Sequence, residues 1–446
     1  MRGKVSLSLL ASALVVNAFG ADDLAGMFKE GKASGQIRAF YIDRDYSGGV
    51  SVHRDGLAIG GHLKYETGAW NGLNFGAAFY TTNKLDSKSG IAGENDTTLF
   101  GPNGDNETYL GEAYLQYKNG NTSFKAGRQK LDTPMAGSDD ARMLPNLFEA
   151  YVLSNTDIQD TTLIAAHVTK FAAGTFANAY NITSASDSAQ TLALTSGYSG
   201  VVNATEYVGK FTDMGTYAIG RDTDGVSVAA AVYTGIKGLK LQVWDYYAHD
   251  ILNAVYAEAN YGWSYSSGVA PYVGVQYIKE DDIGSDYAGK VNSDFIAAKI
   301  GAKFGNCDVS AAVSHNSKDD AAAINGGTIT PWGGMSAYTQ GMVTRHQFMA
   351  GTDAWKVAGN YNWKDYGINL NTGVYYTTFE MDPLNLYVDT HSWTATEAGF
   401  DMIYYPEAVK NLQLRFRGNF PRDFKETTAG VGTDWDEYRF IVNYNF

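Results

Sequence analysis

Long apolar runs are scarce in this chain. Beyond the first twenty residues, none approaches the ~18 residues that a membrane-crossing helix needs. Cysteine is nearly absent, and a single Cys307 excludes an intramolecular disulfide framework. Set between Asn306 and Asp308 near a turn, it reads as a small residue rather than a redox centre. Proline is also sparse, at 8 residues. No linker or repeat divides the chain, and the one biased stretch, Ser/Thr/Ala-rich near 183–199, reads as part of a long loop. Basic residues are outnumbered, 34 against 48 acidic, which gives a net charge of −14 and argues against nucleic acid as a partner. The seven histidines lack metal-ligand spacing, so no metal site is expected. No nucleophile elbow, phosphate loop or dinucleotide fingerprint occurs, and neither an enzyme nor a cofactor is expected.

What the chain does have is aromatics and glycine: Tyr 31, Phe 21, Trp 8 and Gly 50. It begins with Arg2 and Lys4, follows with an apolar run over 5–16, and reaches small residues at Gly20 and Ala21. That order predicts a secretory signal over 1–21, cleaved after Gly20 or Ala21, and a mature domain over 22–446. Removing Arg2 and Lys4 would take the net charge from −14 to −16.

Alternation supplies the fold. Tyr438, Phe440, Val442, Tyr444 and Phe446 are apolar at every second position, with Arg439, Asn443 and Asn445 between them. The same period predicts strands near 35–45, 57–67, 73–82, 108–118, 122–129, 148–154, 161–168, 226–233 and 239–248. Nine more fall near 252–264, 270–279, 293–304, 307–315, 353–363, 368–379, 393–405, 412–420 and 436–446. Short links carry turn chemistry, as at Trp70-Asn71-Gly72 and Lys118-Asn119-Gly120-Asn121. Longer ones alternate with them, near 83–107, 130–147, 169–225, 280–292, 316–352, 380–392 and 421–435, with one short exception at Asp250-Ile251. Short periplasmic turns and long extracellular loops mark an all-β transmembrane antiparallel barrel of about 18 strands in a bacterial outer membrane. A barrel this wide encloses an aqueous channel.

Charge then has to point inward, because arginine facing lipid at the midplane costs roughly 2–4 kcal/mol. Arg38, Arg415, Arg417 and Arg439 all fall on the polar parity of their strands. First and last strands of a closed barrel are neighbours, so these four would form a basic ladder on three consecutive wall strands. A row of guanidinium groups suits carboxylate-bearing solutes. Alternatively, the arginines pair with lumen acids such as Glu397 or Asp401 and stiffen the wall. The acidic segments at 280–282 and 94–107 would be solvated loop surface, or would hold divalent ions against lipopolysaccharide.

After the fifth strand comes Asp139-Asp140-Ala141-Arg142-Met143-Leu144-Pro145-Asn146-Leu147-Phe148. Its Asp-x-Arg-x-Leu-Pro-x-x-Phe pattern resembles the constriction-loop region of the OprD-type porin family. Phe40 to Asp45, Leu414 to Arg417 and Asp436 to Arg439 are similar to other segments of that family. The resemblance implies an eighteen-stranded porin narrowed by an inward-folded third loop near 130–148, with a seventh loop over 316–352 that includes Pro331-Trp332-Gly333-Gly334. It places Asp139, Asp140 and Arg142 at or near the eyelet. It implies passive transport of small hydrophilic solutes and ions, carboxylate-bearing nutrients above all. Outer-membrane lipid, lipopolysaccharide and the barrel assembly machinery would be partners, and the oligomeric state a monomer or loose trimer. The other reading is a surface structural or adhesive protein working through long loops, the 169–225 connection above all.

Overall fold

The computed structural model describes residues 21–49, 51–85, 95–176, 207–334, 337–385, 391–427 and 429–446. The expected signal over 1–21, apart from Ala21, and the biased stretch at 183–199 lie outside them.

Eighteen long strands form the wall. They are β1 Lys32–Gly48, β2 Val52–Glu66, β3 Leu73–Lys84, β4 Glu107–Asn119, β5 Thr122–Gln129, β6 Leu147–Asn155, β7 Thr161–Ala172, β8 Val226–Tyr233 and β9 Leu239–Ala248. The circuit continues through β10 Leu252–Gly262, β11 Ala270–Asp281, β12 Asn292–Phe304, β13 Cys307–Asn316, β14 Asp353–Asn362, β15 Leu370–Met381, β16 Trp393–Tyr404, β17 Leu412–Arg422 and β18 Thr433–Asn445. Each pairs antiparallel with its sequence neighbour, and β1 pairs with β18 from Gln36↔Asn445 to Gly48↔Thr433. That last ladder closes the barrel, so none of the eighteen wall strands is left at an edge. A two-residue strand, Thr212–Asp213, pairs with β7 inside the long fourth connection.

All eighteen strands fall where the alternation puts them. Two details differ. The β1–β2 link, residues 49–51, is a second short connection on the loop side, because both strands run farther than their apolar parity reaches. The helix α1, Leu24–Lys29, carries no period-2 signal and is started by Asp23, whose carboxylate accepts the Gly26 amide at 2.6 Å. Turn chemistry acts as expected at Asn71 and Gly72, whose φ values of 50° and 82° suit a tight hairpin.

The two faces of the wall carry opposite chemistry. Outward positions such as Ile37, Leu63, Phe124, Val243, Ile300, Val357, Val374 and Phe440 are apolar and exposed. Tyr41, Tyr151, Tyr247, Tyr376 and Tyr444 supply exposed outward rings. The buried side chains lie inside, where loops fold back into the lumen and pack on the wall. Met135, Met214 and Trp332 from three loops pack with Trp244 and Tyr246 of β9. Phe40 and Ile42 of β1 pack with Met143 and Leu144. The inner face of β1 is therefore part apolar, because it receives a loop rather than water.

Val357 sits mid-strand on the outer face of β14. Val357→Arg is expected to lower stability by about 2–4 kcal/mol in a urea titration of the barrel in bilayers.

Candidate functional site

The third loop, 130–146, leaves β5 through a turn tied by Asp132. That carboxylate accepts the Ser138 amide at 3.0 Å and the Ser138 hydroxyl at 2.5 Å. The loop then runs to the seam, where β1 and β18 close the barrel. Arg38 of β1 donates to Asp140 at 2.7 Å, to Asn443 at 2.9 Å, and to the Arg142 carbonyl. Burial opposes ionisation of Asp140, but Arg38 and Lys130 outweigh it and hold the carboxyl down at about 2.

Behind this contact lies a buried ion cluster. Glu437 of β18 accepts from Arg142 at 2.9 Å and from Arg439 at 2.6 Å. Arg44 of β1 lies 3.5 Å from Glu437 and 2.9 Å from Asp96 of the second loop. Three guanidiniums thus share two carboxylates, leaving one surplus positive charge. Burial and the charge of Arg439 pull Arg142 down to about 10 against Glu437, so it stays protonated at neutral pH. With one partner removed, such a cluster holds an uncompensated charge. Glu437→Gln is expected to cost about 3–5 kcal/mol on denaturation, and to raise single-channel conductance as the third loop loses its anchor.

The seventh loop, 317–352, meets the third from across the lumen. Arg345 clamps Asp139 at 2.9 Å. The Gly137 amide donates to the Trp332 carbonyl at 3.2 Å. A Cβ on Gly137 would come within 2.8 Å of the Gly334 backbone, so the crossing requires glycine there. Wall carboxylates hold the seventh loop by its backbone. Glu397 accepts the amides of Met342 at 2.6 Å and Thr344 at 2.7 Å, and Glu280 accepts that of Ile329 at 2.7 Å.

His346 is buried between Phe379 and Phe424 and hydrogen-bonded to the Phe424 carbonyl at 2.8 Å. Desolvation depresses its pKa to about 4, partly offset by that bond. The unfolded chain then takes up a proton at higher pH than the folded one. Stability from this site is complete above the ordinary histidine pKa of about 6.5 and declines as pH falls towards 4. Gating events in single-channel records are expected to multiply over that interval, and His346→Phe to abolish the increase.

The sequence-predicted site residues are thus divided among three settings. Arg38, Asp140, Arg142 and Arg439 come together at the barrel seam, and Asp139 joins Arg345. Arg415 and Arg417 stand apart on β17 and share Asp401, which Arg417 approaches at 3.4 Å. Glu397 takes no part in that pairing. Side-chain exposure separates the four wall arginines: 1% for Arg439 and 9% for Arg38, against 15% for Arg417 and 28% for Arg415. Arg415 and Arg417 are the two that still face water. Arg44 and Glu437 share the inward parity of Arg38 and Arg439, so the same alternation contained them. Arg345 sits in a loop without period and carried no such signal.

A cavity of about 910 Å³ opens below the third loop on the turn side. Lys64, Lys125 and Lys130 lie on one flank, and Val152, Ile164 and Val228 on another.

A closed barrel with an apolar exterior, a charged lumen and loops folded into it is a porin of the bacterial outer membrane, a channel rather than an enzyme. The chain belongs to the outer membrane porin, OprD family, whose model matches residues 25–446. Solved structures share the fold. OpdK from Pseudomonas aeruginosa, determined with vanillate, is 16% identical with a TM-score of 0.73, covering 94% of this chain and 99% of that one. OccK2 (OpdF) from Pseudomonas aeruginosa, in complex with glucuronate, is 17% identical with a TM-score of 0.70 over the same shares, 94% and 99%. A BenF-like porin from Pseudomonas fluorescens Pf-5 is 16% identical with a TM-score of 0.74, again over 94% and 99%. No curated protein sequence matches the chain.

Proposed function

We propose that this porin passes small hydrophilic solutes by diffusion and favours those bearing a carboxylate. The observation that carries the reading is the water-facing pair Arg415 and Arg417 on one Asp401. Two guanidiniums on one carboxylate leave a positive charge in the lumen, and guanidinium geometry suits a passing carboxylate. Arg38 and Arg439 continue the basic ladder to the seam, where Arg38 and Lys130 again outnumber Asp140. Solved relatives of the same fold hold vanillate and glucuronate, both carboxylates. The third and seventh loops fold into the lumen rather than outward, while residues 177–206 of the connection on which an adhesive role would rest lie outside the described residues. An export signal over 1–21, cleaved after Gly20 or Ala21, accompanies this reading.

Arg415→Gln/Arg417→Gln in planar bilayers under a salt gradient tests it. The discrete steps of an open channel should persist while the reversal potential moves towards cation preference, since Asp401 is left without a partner. An unchanged reversal potential would remove the ladder from the transport path.

A further inference from the structure

Arg38, Arg142, Arg415, Arg417 and Arg439 have carboxylate partners, whereas three wall lysines have none among the described residues. Lys125 on β5, Lys299 on β12 and Lys356 on β14 are half-buried on the inward parity of their strands, and none has an ion pair among the described residues. Each lies instead on a tyrosine ring. Lys125 Nζ is 3.7 Å from the Tyr114 ring centre, Lys299 Nζ 4.0 Å from Tyr338, and Lys356 Nζ 4.7 Å from Tyr375.

The arrangement repeats down to the residue beneath. Each tyrosine lies over a glycine of the wall. A Cβ on Gly76 would fall 2.4 Å from the Tyr114 ring, one on Gly274 2.6 Å from the Tyr338 hydroxyl, and one on Gly399 2.5 Å from the Tyr375 ring. Glycine thus lets the ring lie close to the wall, and the ring supports the ammonium from below. Lys299 and Lys356 both face Ala312 in register, so one small residue on β13 separates them. β5 lies half-way around the barrel from β14, which puts Lys125 on the opposite wall.

The acids near these lysines are engaged elsewhere. Glu112 takes Lys64 at 3.2 Å and the Tyr80 hydroxyl at 2.8 Å. Glu258 accepts from Gln242 and Asn260 at 2.7 Å, Tyr256 at 2.8 Å and Gln276 at 3.0 Å. Glu397 is filled by the seventh-loop amides and Tyr375. An ammonium has three donors, and among the described residues only Lys356 of the three uses one on protein, donating to the Gln340 carbonyl at 2.5 Å.

We propose that a solute carboxylate binds at the three tyrosine-backed lysines as it crosses, while the paired arginines set the positive field through which it moves. This rests on the carboxylate reading above and assigns its contact residues. A solute binding Arg415 has to displace Asp401, whereas one binding Lys125 displaces water. A ring face is a weaker partner than a carboxylate, so the ammonium is left available. Contacts of that strength hold a solute briefly and release it, as conduction demands.

Block of single-channel current by vanillate and by glucuronate distinguishes the two sets of cations. In the full chain, Lys125→Gln/Lys299→Gln/Lys356→Gln should raise the half-blocking concentration about tenfold or more, with open conductance largely kept. The corresponding Lys→Arg variant should restore block, because charge and ring contact remain. Arg415→Gln/Arg417→Gln should shift ion selectivity yet leave block within a few-fold. Heat-modifiable mobility confirms folding, and the single Lys→Gln variants carry the test if the triple one fails to fold. Block unchanged in the lysine variants but abolished in the arginine variant overturns this assignment and leaves the carboxylate reading intact. A natural chain that conducts but is blocked by neither carboxylate overturns that reading, and the lysine assignment with it.

Discussion

Lipid offers no hydrogen bonds to a backbone, and the structure is organised around that fact. A sheet in the membrane must satisfy every amide and carbonyl within itself, so the last strand has to find the first. The ladder from Gln36↔Asn445 to Gly48↔Thr433 makes that closure, and Gly35 and Phe446 extend it by two further backbone bonds of 3.0 and 3.1 Å. Once the wall is closed, apolar side chains go outside and charges go inside. A soluble protein's arrangement is inverted, and an interior too wide for wall side chains to fill must be narrowed by loops.

Electrostatics does much of that narrowing. The third loop is held against the seam by Arg38, Glu437 and the cations gathered around Glu437. The seventh is held by Arg345 and by carboxylates that accept its amides. In a polar lumen these charges would contribute little if solvated separately. Packed together and buried, they fix a loop position through hydrogen-bond geometry, and each carries a cost if left without its partner. The same economy explains why arginine dominates the buried contacts. A guanidinium can serve Glu437 and a neighbouring carbonyl or amide together, with its donors set in one plane. Lys125, Lys299 and Lys356 occupy positions on tyrosine faces, where a point charge needs no fixed fork.

Much of the wall was legible because strand geometry is local and periodic. The parity of Leu412 to Phe420 and of Tyr438 to Phe446 put Arg415, Arg417 and Arg439 indoors before any contact was known. The first strand was harder. Its inward face alternates Arg38 and Arg44 with Phe40 and Ile42, a mixture that makes sense only when Met143 and Leu144 are seen packed on it. Asp139, Asp140 and Arg142 were found through a motif rather than through periodicity, and their separate partners followed no pattern in the chain. Arg345 and His346 lay in an irregular loop, and nothing in their spacing marked them, while Glu280, read with its acidic neighbours as solvated loop surface, is a buried wall residue that accepts the Ile329 amide.

The sequence by itself determined the strand count, the two faces of each strand, the tight turns and the inward direction of the wall charges. Each of these follows from residues a few positions apart in a medium that penalises error heavily. Tertiary structure alone decided which charges meet. Arg142 reaches Glu437 across 295 positions, and Arg345 reaches Asp139 across 206. No local pattern encodes such pairings, because loop paths are set by what fills the lumen once the barrel has closed. Whether a given cation is spent on the scaffold or left facing the channel is therefore a property of the closed barrel.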